Sequence, residues 1–163
     1  MTASKPPVGV SSCLLGEAVR YDGGDKREPV VADRLAAVVE WVPVCPEVEL
    51  GMGTPREPVR LVRRDDEILM LGTKSETDWT APMRAWSEKR ARQLHRLDLC
   101  GYVLKKDSPS CGMERVKVRS DKGMPKKEGQ GVFAEALLRH NPLLPAEEEG
   151  RLHDAMLREN FVE

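Results

Sequence analysis

Three of the chain's four cysteines stand in short segments crowded with serine, glycine and proline. Cys13 lies in Ser11-Ser12-Cys13-Leu14-Leu15-Gly16, Cys45 in Pro43-Val44-Cys45-Pro46-Glu47, and Cys111 in Ser108-Pro109-Ser110-Cys111-Gly112. Each follows an apolar stretch that reads as a strand: Val8 to Val10, Trp41 to Val44, and Gly101 to Leu104. Cysteines at the exits of separate strands can converge on one edge of a sheet. Three thiolates gathered there can hold a metal or an iron–sulfur centre. They leave one coordination position open, and an open position means chemistry rather than a staple.

A lone cysteine is more often a small buried apolar residue. Cys100, in Leu97-Asp98-Leu99-Cys100-Gly101-Tyr102, fits that description and reads as core. The polar company of the other three fits it less well. Four cysteines in 163 residues, with no signal peptide, do not make a disulfide framework. Closed zinc sites pair their ligands as C-x-x-C. No such pair occurs here, which disfavours a structural zinc site.

Other residues near the cysteines can take part. Glu47 sits two positions after Cys45, behind Pro46. The proline fixes the turn, and a carboxylate beside a desolvated centre can act as a general base on water. The competing reading is a solvated surface acid. Ser108 and Ser110 flank Pro109 beside Cys111. Either can donate to a substrate oxygen or to a sulfur, or be a turn residue only. Ser12 and Asp22 belong to turns that can border a substrate. Lys105 can meet an anionic group, as can the basic stretch Lys122 to Lys127; solvated lysines are the commoner case. His95, His140 and His153 fall on predicted helices, away from the cysteine loops.

The elements that must hold these residues alternate strand with helix. After the first strand come the Arg20-Tyr21-Asp22-Gly23-Gly24 turn and a helix over Val30 to Glu40. Val59 to Arg64 and Glu67 to Leu71 form a hairpin around Asp65-Asp66. Thr80 caps a long helix, Ala81 to Leu97, on which Met83, Trp86, Arg90, Leu94 and Leu97 recur at helical spacing. Arg115 to Arg119 is a further short strand, Asp121 to Gly131 a polar, mobile segment, and Val132 to Arg139 a helix. Pro145 starts a last helix, with Glu147, Glu148 and Glu149 at its positive end. This pattern predicts a compact single-domain α/β fold over residues 1–163. A small, largely parallel sheet would be flanked by helices in Rossmann-like layering, followed by a helical tail over 141–163. In such sheets, sites form at the carboxyl ends of strands.

Composition narrows the function classes. Net charge is −1, with 33% charged and 4% aromatic residues. There is no electrostatic footprint for DNA and no base-stacking platform. No apolar run approaches the roughly 18 residues of a membrane span. The chain reads as a soluble, cytoplasmic protein of a reducing compartment. No Gly-x-Gly-x-x-Gly, P-loop or nucleophile elbow is present.

Taken together, three ordered segments resemble the thiouracil desulfidase (desulfurase) family. These are Ser11 to Gly16 with Val19-Arg20-Tyr21-Asp22-Gly23, then Val44-Cys45-Pro46-Glu47 with Pro55-Arg56, then Leu104-Lys105 with Ser108 to Gly112. The resemblance spans about residues 8 to 140. It implies a [4Fe–4S] cluster held by Cys13, Cys45 and Cys111, with the fourth iron open to the sulfur of a thiolated pyrimidine. It also implies that Glu47 and one serine, Ser108 or Ser110, are catalytic helpers, that C=S is replaced by C=O without net redox change, and that sulfide is released. Cys100 matches no ligand of the family. The tail from Pro142 resembles versions fused to a second domain, so a stand-alone enzyme and an excised domain both fit. Two other function classes fit the cysteines: a module that binds a cluster to sense or store sulfur without turnover, and a metal-free transferase working through a cysteine persulfide.

Overall fold

The structure, a computed structural model, describes residues 5–120 and 124–153. Its first sheet is wholly parallel. β1 (Pro7–Ser11) lies at the centre between β2 (Glu40–Val44) and β5 (Gly101–Leu104), and β8 (Ala146–Glu148) adds outside β5. In register, Ser11 faces Val44 and Val10 faces Val103. The carboxyl ends of β2, β1 and β5 are therefore level, and the chain leaves all three at one edge.

Strand alternation sends side chains into two cores. Val44, Tyr102 and Leu104 point to the side covered by α2 (Thr80–Arg96) and α3 (Val132–His140), where they pack with Leu94, Phe133 and Leu137. Val8, Val10 and Val103 point to the other side, against Leu14, Val30, Val31 and Leu35. Helical turns thus cover both faces of a parallel sheet, as the alternating pattern predicts. The ring of Tyr102 crosses Gly9 of β1, where a Cβ would lie 2.2 Å from two ring carbons. Glycine at that point is a packing requirement of the sheet.

A second sheet, not foreseen from the sequence, runs β4–β3–β6–β7. The expected hairpin is its core: β3 (Val59–Arg64) pairs antiparallel with β4 (Glu67–Gly72) around Asp65, which turns at φ 55°. β6 (Val116–Ser120) joins β3 in parallel, and β7 (Lys126–Gly129) joins β6 antiparallel. The segment read as mobile is thus partly an edge strand. Lys126, Lys127 and Glu128 on it are exposed, a charged composition that suits an unpaired edge. Lys122 lies outside the described residues.

Three other elements differ from expectation. Over 30–40 the chain makes one π turn (Val30–Arg34) and one 3₁₀ turn (Leu35–Ala37) instead of a regular helix; the β-branched pair Val30–Val31 is a poor α-helix former. Thr80 does not cap α2: its hydroxyl accepts the Met70 N–H at 2.8 Å, while Asp78 accepts the Thr80 N–H at 2.9 Å. The acidic run after Pro145 is strand β8 followed by a 3₁₀ turn, Glu149–His153. The Glu148 and Glu149 carboxylates there hold the backbone N–H groups of Met113 and Lys106, so these acids tie down neighbouring loops rather than start a helix. Residues 154–163 of the expected tail lie outside the described residues. No described helix is long and apolar enough to cross a membrane.

Gly9→Ala is expected to destabilise the protein by about 1–3 kcal/mol, the usual penalty for overpacking. Chemical denaturation of the variant checks it; a midpoint equal to wild type would contradict the packing of Tyr102 across β1.

Candidate active site

Each thiol is fixed by a different local device. Cys13 stands in a 3₁₀ turn (Ser12–Leu15) directly after β1, and Gly16 closes that turn at φ 93°. The Cys13 carbonyl accepts the N–H groups of Gly16 and Lys26, at 3.2 and 3.0 Å. Cys45 precedes α1 (Pro46–Leu50), and its N–H donates to Glu49 Oε2 at 3.0 Å. The other Glu49 oxygen lies 3.0 Å from Arg90 Nε on α2.

The third loop is the most constrained. Ser108 Oγ accepts the N–H groups of Ser110 and Cys111, at 3.2 and 3.1 Å. The carbonyls of Pro109 and Ser110 in turn accept the N–H groups of Val132 and Ala134, the first-turn donors that a helix leaves unpaired. The Cys111 loop is therefore the N-terminal cap of α3. Gly131 makes this docking possible. A Cβ there would lie 2.5 Å from the Ser110 carbonyl and 2.7 Å from Cys111 N, and these are backbone atoms that cannot swing aside. Sequence reasoning missed Gly131, because one glycine in a polar stretch carries no sign of what packs on it.

Cys13, Cys45 and Cys111 line one cavity of about 810 Å³ at the carboxyl edge of the parallel sheet. All three are free thiols. Burial pushes the Cys13 and Cys45 thiols up to about 11 and Cys111 higher still, and Glu47 adds to the rise at all three. Without added positive charge the set stays protonated; bound metal would supply that charge and hold the ligands as thiolates. Among the described residues, no three His, Cys, Asp or Glu side chains close on a single ion. A soft, all-sulfur donor set on the wall of one cavity fits an iron–sulfur centre by its chemistry.

Glu47 and the serines form one hydrogen-bonded line beside the thiols. Ser110 Oγ donates to Glu47 Oε1 at 2.5 Å, and Ser108 Oγ lies 3.1 Å from Ser110 Oγ. Ser110 Oγ is also 3.7 Å from Cys111 Sγ. A hydroxyl has one proton, and the far shorter contact to a carboxylate takes it. Ser110 Oγ then accepts from Ser108. The second Glu47 oxygen is 3.8 Å from Cys45 Sγ. Ser110 is fully buried, whereas Ser108 lines the cavity. The structure thus separates two serines that the sequence left equivalent.

The remaining candidates divide. Ser12 lines the cavity and is buried. Lys105 lines it too, but its ammonium is engaged by the Lys106 carbonyl at 2.8 Å and by Glu149 at 3.3 Å. Asp22 is not on the cavity wall; its carboxylate accepts the Gly24 N–H at 2.8 Å and shapes its own turn. Lys126 and Lys127 are on β7 and not on the wall. Cys100 is exposed, contrary to its core reading. It stands just before β5, donating its N–H to Pro7 at 2.8 Å, and it does not line the cavity. Of the histidines, His95 ends α2, and His140 ends α3 with its ring on Glu88. Three further wall residues had no role assigned from sequence. The Arg20 guanidinium lies 5.6 Å from the centre of the Tyr21 ring, and Arg56 donates its N–H to the Tyr21 carbonyl at 2.6 Å.

With this geometry in hand, likeness to known proteins is informative. A family model described as 2-thiouracil desulfurase matches residues 8–149. The chain is 31% identical over 133 residues to the uncharacterized protein YbbK of Bacillus subtilis strain 168, across 78% of this chain and 87% of that protein. It also resembles a solved structure described as the [4Fe–4S]-dependent thiouracil desulfidase TudS. That likeness has a TM-score of 0.74 and 31% identity, covering 97% of this chain and 99% of the other.

In metal-free protein, a thiol-alkylating reagent should modify Cys100 first and Cys111 last, with Cys13 and Cys45 between, because burial suppresses the reactive thiolate. Peptide mapping over a time course reads the order. Cys111 reacting as fast as Cys100 would contradict the docking of its loop on α3.

Proposed function

The chain belongs to the 2-thiouracil desulfurase family, and from that membership we propose that it hydrolyses the carbon–sulfur bond of a thiolated pyrimidine, using a [4Fe–4S] cluster held by Cys13, Cys45 and Cys111. The observation that carries this reading is the shared cavity: three thiols from three parallel strands, with the Glu47–Ser110–Ser108 line beside them. The solved relative is named for the same cluster and substrate class. When bound by three thiolates, the cluster supplies an iron with an open coordination position, a Lewis acid for the substrate's thiocarbonyl sulfur.

The chain's own groups account for the water chemistry. Glu47 Oε1 is held by the Ser110 hydroxyl, which leaves Oε2, 3.8 Å from Cys45 Sγ, as the oxygen that takes a proton. A water beside it gives that proton up as its oxygen bonds to the thiolated carbon. Breaking the carbon–sulfur bond releases the electron pair with sulfur. The balance is C=S plus H₂O giving C=O plus H₂S, with no oxidant or reductant. Ser110 is a positioning residue for Glu47. Ser108 is the serine that faces substrate: its hydroxyl rests on Ser110 and can turn into the cavity to donate to a heteroatom of the ring. The buried, protonated thiols are poor nucleophiles in metal-free protein, which argues against a persulfide transferase.

Anaerobic chain reconstituted with iron and sulfide should convert 2-thiouracil or 4-thiouracil to uracil over many turnovers, with one sulfide per uracil. Release that stops at one sulfide per chain, or needs a reductant, would overturn the hydrolytic reading. Serine at position 13, 45 or 111 is expected to abolish iron binding, and Cys100→Ser to leave it at wild-type level; near-normal iron in Cys45→Ser would sink the ligand set. Glu47→Gln should keep iron and substrate affinity yet lose about 10²–10⁴-fold in turnover, the usual contribution of a general base. Undiminished turnover in that variant, with iron intact, would remove Glu47 from the mechanism.

A further inference from the structure

Lys105 is held in a way that a surface lysine does not need. It directly follows β5, and its N–H donates to Ser11 Oγ at the end of β1, at 3.0 Å. Its ammonium donates to the Lys106 carbonyl at 2.8 Å and pairs with Glu149 Oε2 at 3.3 Å. The other Glu149 oxygen accepts the Lys106 N–H at 2.7 Å. Glu149 is buried, and the Lys105 side chain is only 17% exposed. Lys105 and its three partners, Ser11, Lys106 and Glu149, all line the thiol cavity. A lysine stem is long and flexible; here both ends are tied, so the charge has a fixed place on the wall.

The tethers also narrow what the ammonium can hold. It has three N–H donors. One meets the Lys106 carbonyl and one is turned to Glu149, and no other described residue takes the third. The carboxylate matches the charge, so the pair as a whole is neutral. A neutral pair with one directed N–H suits an uncharged acceptor, a carbonyl oxygen, better than a free anion. Arg27, another cation of the wall, pairs with Asp33, but both side chains stand about half in solvent. A donor held away from water discriminates more strongly than one bathed in it. A thiolated uracil carries one acceptor of the required kind: the exocyclic oxygen that sulfur has not replaced.

We infer that Lys105 is a substrate-orienting residue, its remaining N–H donating to the exocyclic oxygen of the thiolated pyrimidine while Glu149 holds the ammonium in place. The inference rests on the desulfuration proposed above. A flat ring held at its sulfur alone can swing about that bond. A second fixed contact, at the oxygen, sets which face of the thiolated carbon meets the water beside Glu47. A purely structural ion pair would act on every substrate alike. A donor to one oxygen acts only on substrates that carry it.

The test measures kcat/KM on 2-thiouracil and 4-thiouracil, and on 2-thiopyrimidine and 4-thiopyrimidine, the same rings without the exocyclic oxygen. Wild type and Lys105→Met are compared, each reconstituted anaerobically with iron and sulfide. Lys105→Met leaves the Glu149 charge buried and unpaired, so the double variant Lys105→Met/Glu149→Gln is run beside it; the amide oxygen there still accepts the Lys106 N–H. Both variants should lose about 10- to 100-fold on the thiouracils, the usual worth of a hydrogen bond from a charged donor, and little on the thiopyrimidines. Uracil should inhibit them more weakly than it inhibits wild type. An equal loss on all four substrates in the double variant overturns the inference and makes the pair structural. So does an undiminished rate on the thiouracils, or unchanged inhibition by uracil. A wild-type chain that turns over neither thiouracil overturns the proposed function, and this inference with it.

Discussion

The parallel register of β1 between β2 and β5 is the constraint on which the rest of the structure depends. With Ser11 level with Val44, and Val10 with Val103, three chain exits stand side by side. Residues 13, 45 and 111 reach one cavity because the strands before them end on one line. A shift of one residue in β5 would send Tyr102 and Leu104 to the opposite core and carry the Ser108–Gly112 loop with them. The apolar packing of the two cores therefore fixes the position of the thiols as well as the stability of the sheet.

Register alone does not hold a thiol in place, and the three loops solve that problem separately. The most economical solution is at Cys111. A helix needs acceptors for its first N–H groups, and a loop needs partners for its buried carbonyls. The Pro109 and Ser110 carbonyls on the first turn of α3 meet both needs at once. Gly131 is what lets the two backbones come together. The same loop presents Ser110 to Glu47, so the position of the carboxylate and that of the third thiol are set by one piece of backbone. At Cys45 the support comes from behind, through Glu49 and Arg90 of α2. Helices that cover the sheet thus also hold the site.

Much of this was legible in the sequence. Strands β1, β2 and β5, the hairpin at Asp65–Asp66, α2 and α3 have clear periodicity or turn signals, and the polar setting of Cys13, Cys45 and Cys111 separated them from Cys100. What escaped has physical causes. Lys126 to Glu128 form a strand only because β6 offers an edge; their own composition is that of a loop. Ala146 to Glu148 look like the start of a helix, and become a strand through pairing with β5 and the use of Glu148 and Glu149 as acceptors for distant N–H groups. Cys100 was misjudged because its neighbours Leu97 and Leu99 suggested burial, while Leu97 itself is half-exposed. The different settings of Ser108 and Ser110 depend on which hydroxyl meets Glu47, and no spacing rule encodes that.

The central claim is that this edge performs hydrolysis: the atom replacing sulfur comes from water activated at Glu47, not from a redox step. Turnover of 2-thiouracil in ¹⁸O-water by anaerobically reconstituted chain tests it most directly, with the product read by mass spectrometry. The account predicts uracil carrying one ¹⁸O per sulfide released, without added reductant. Uracil without the label, or sulfide release that depends on an electron donor, would contradict it.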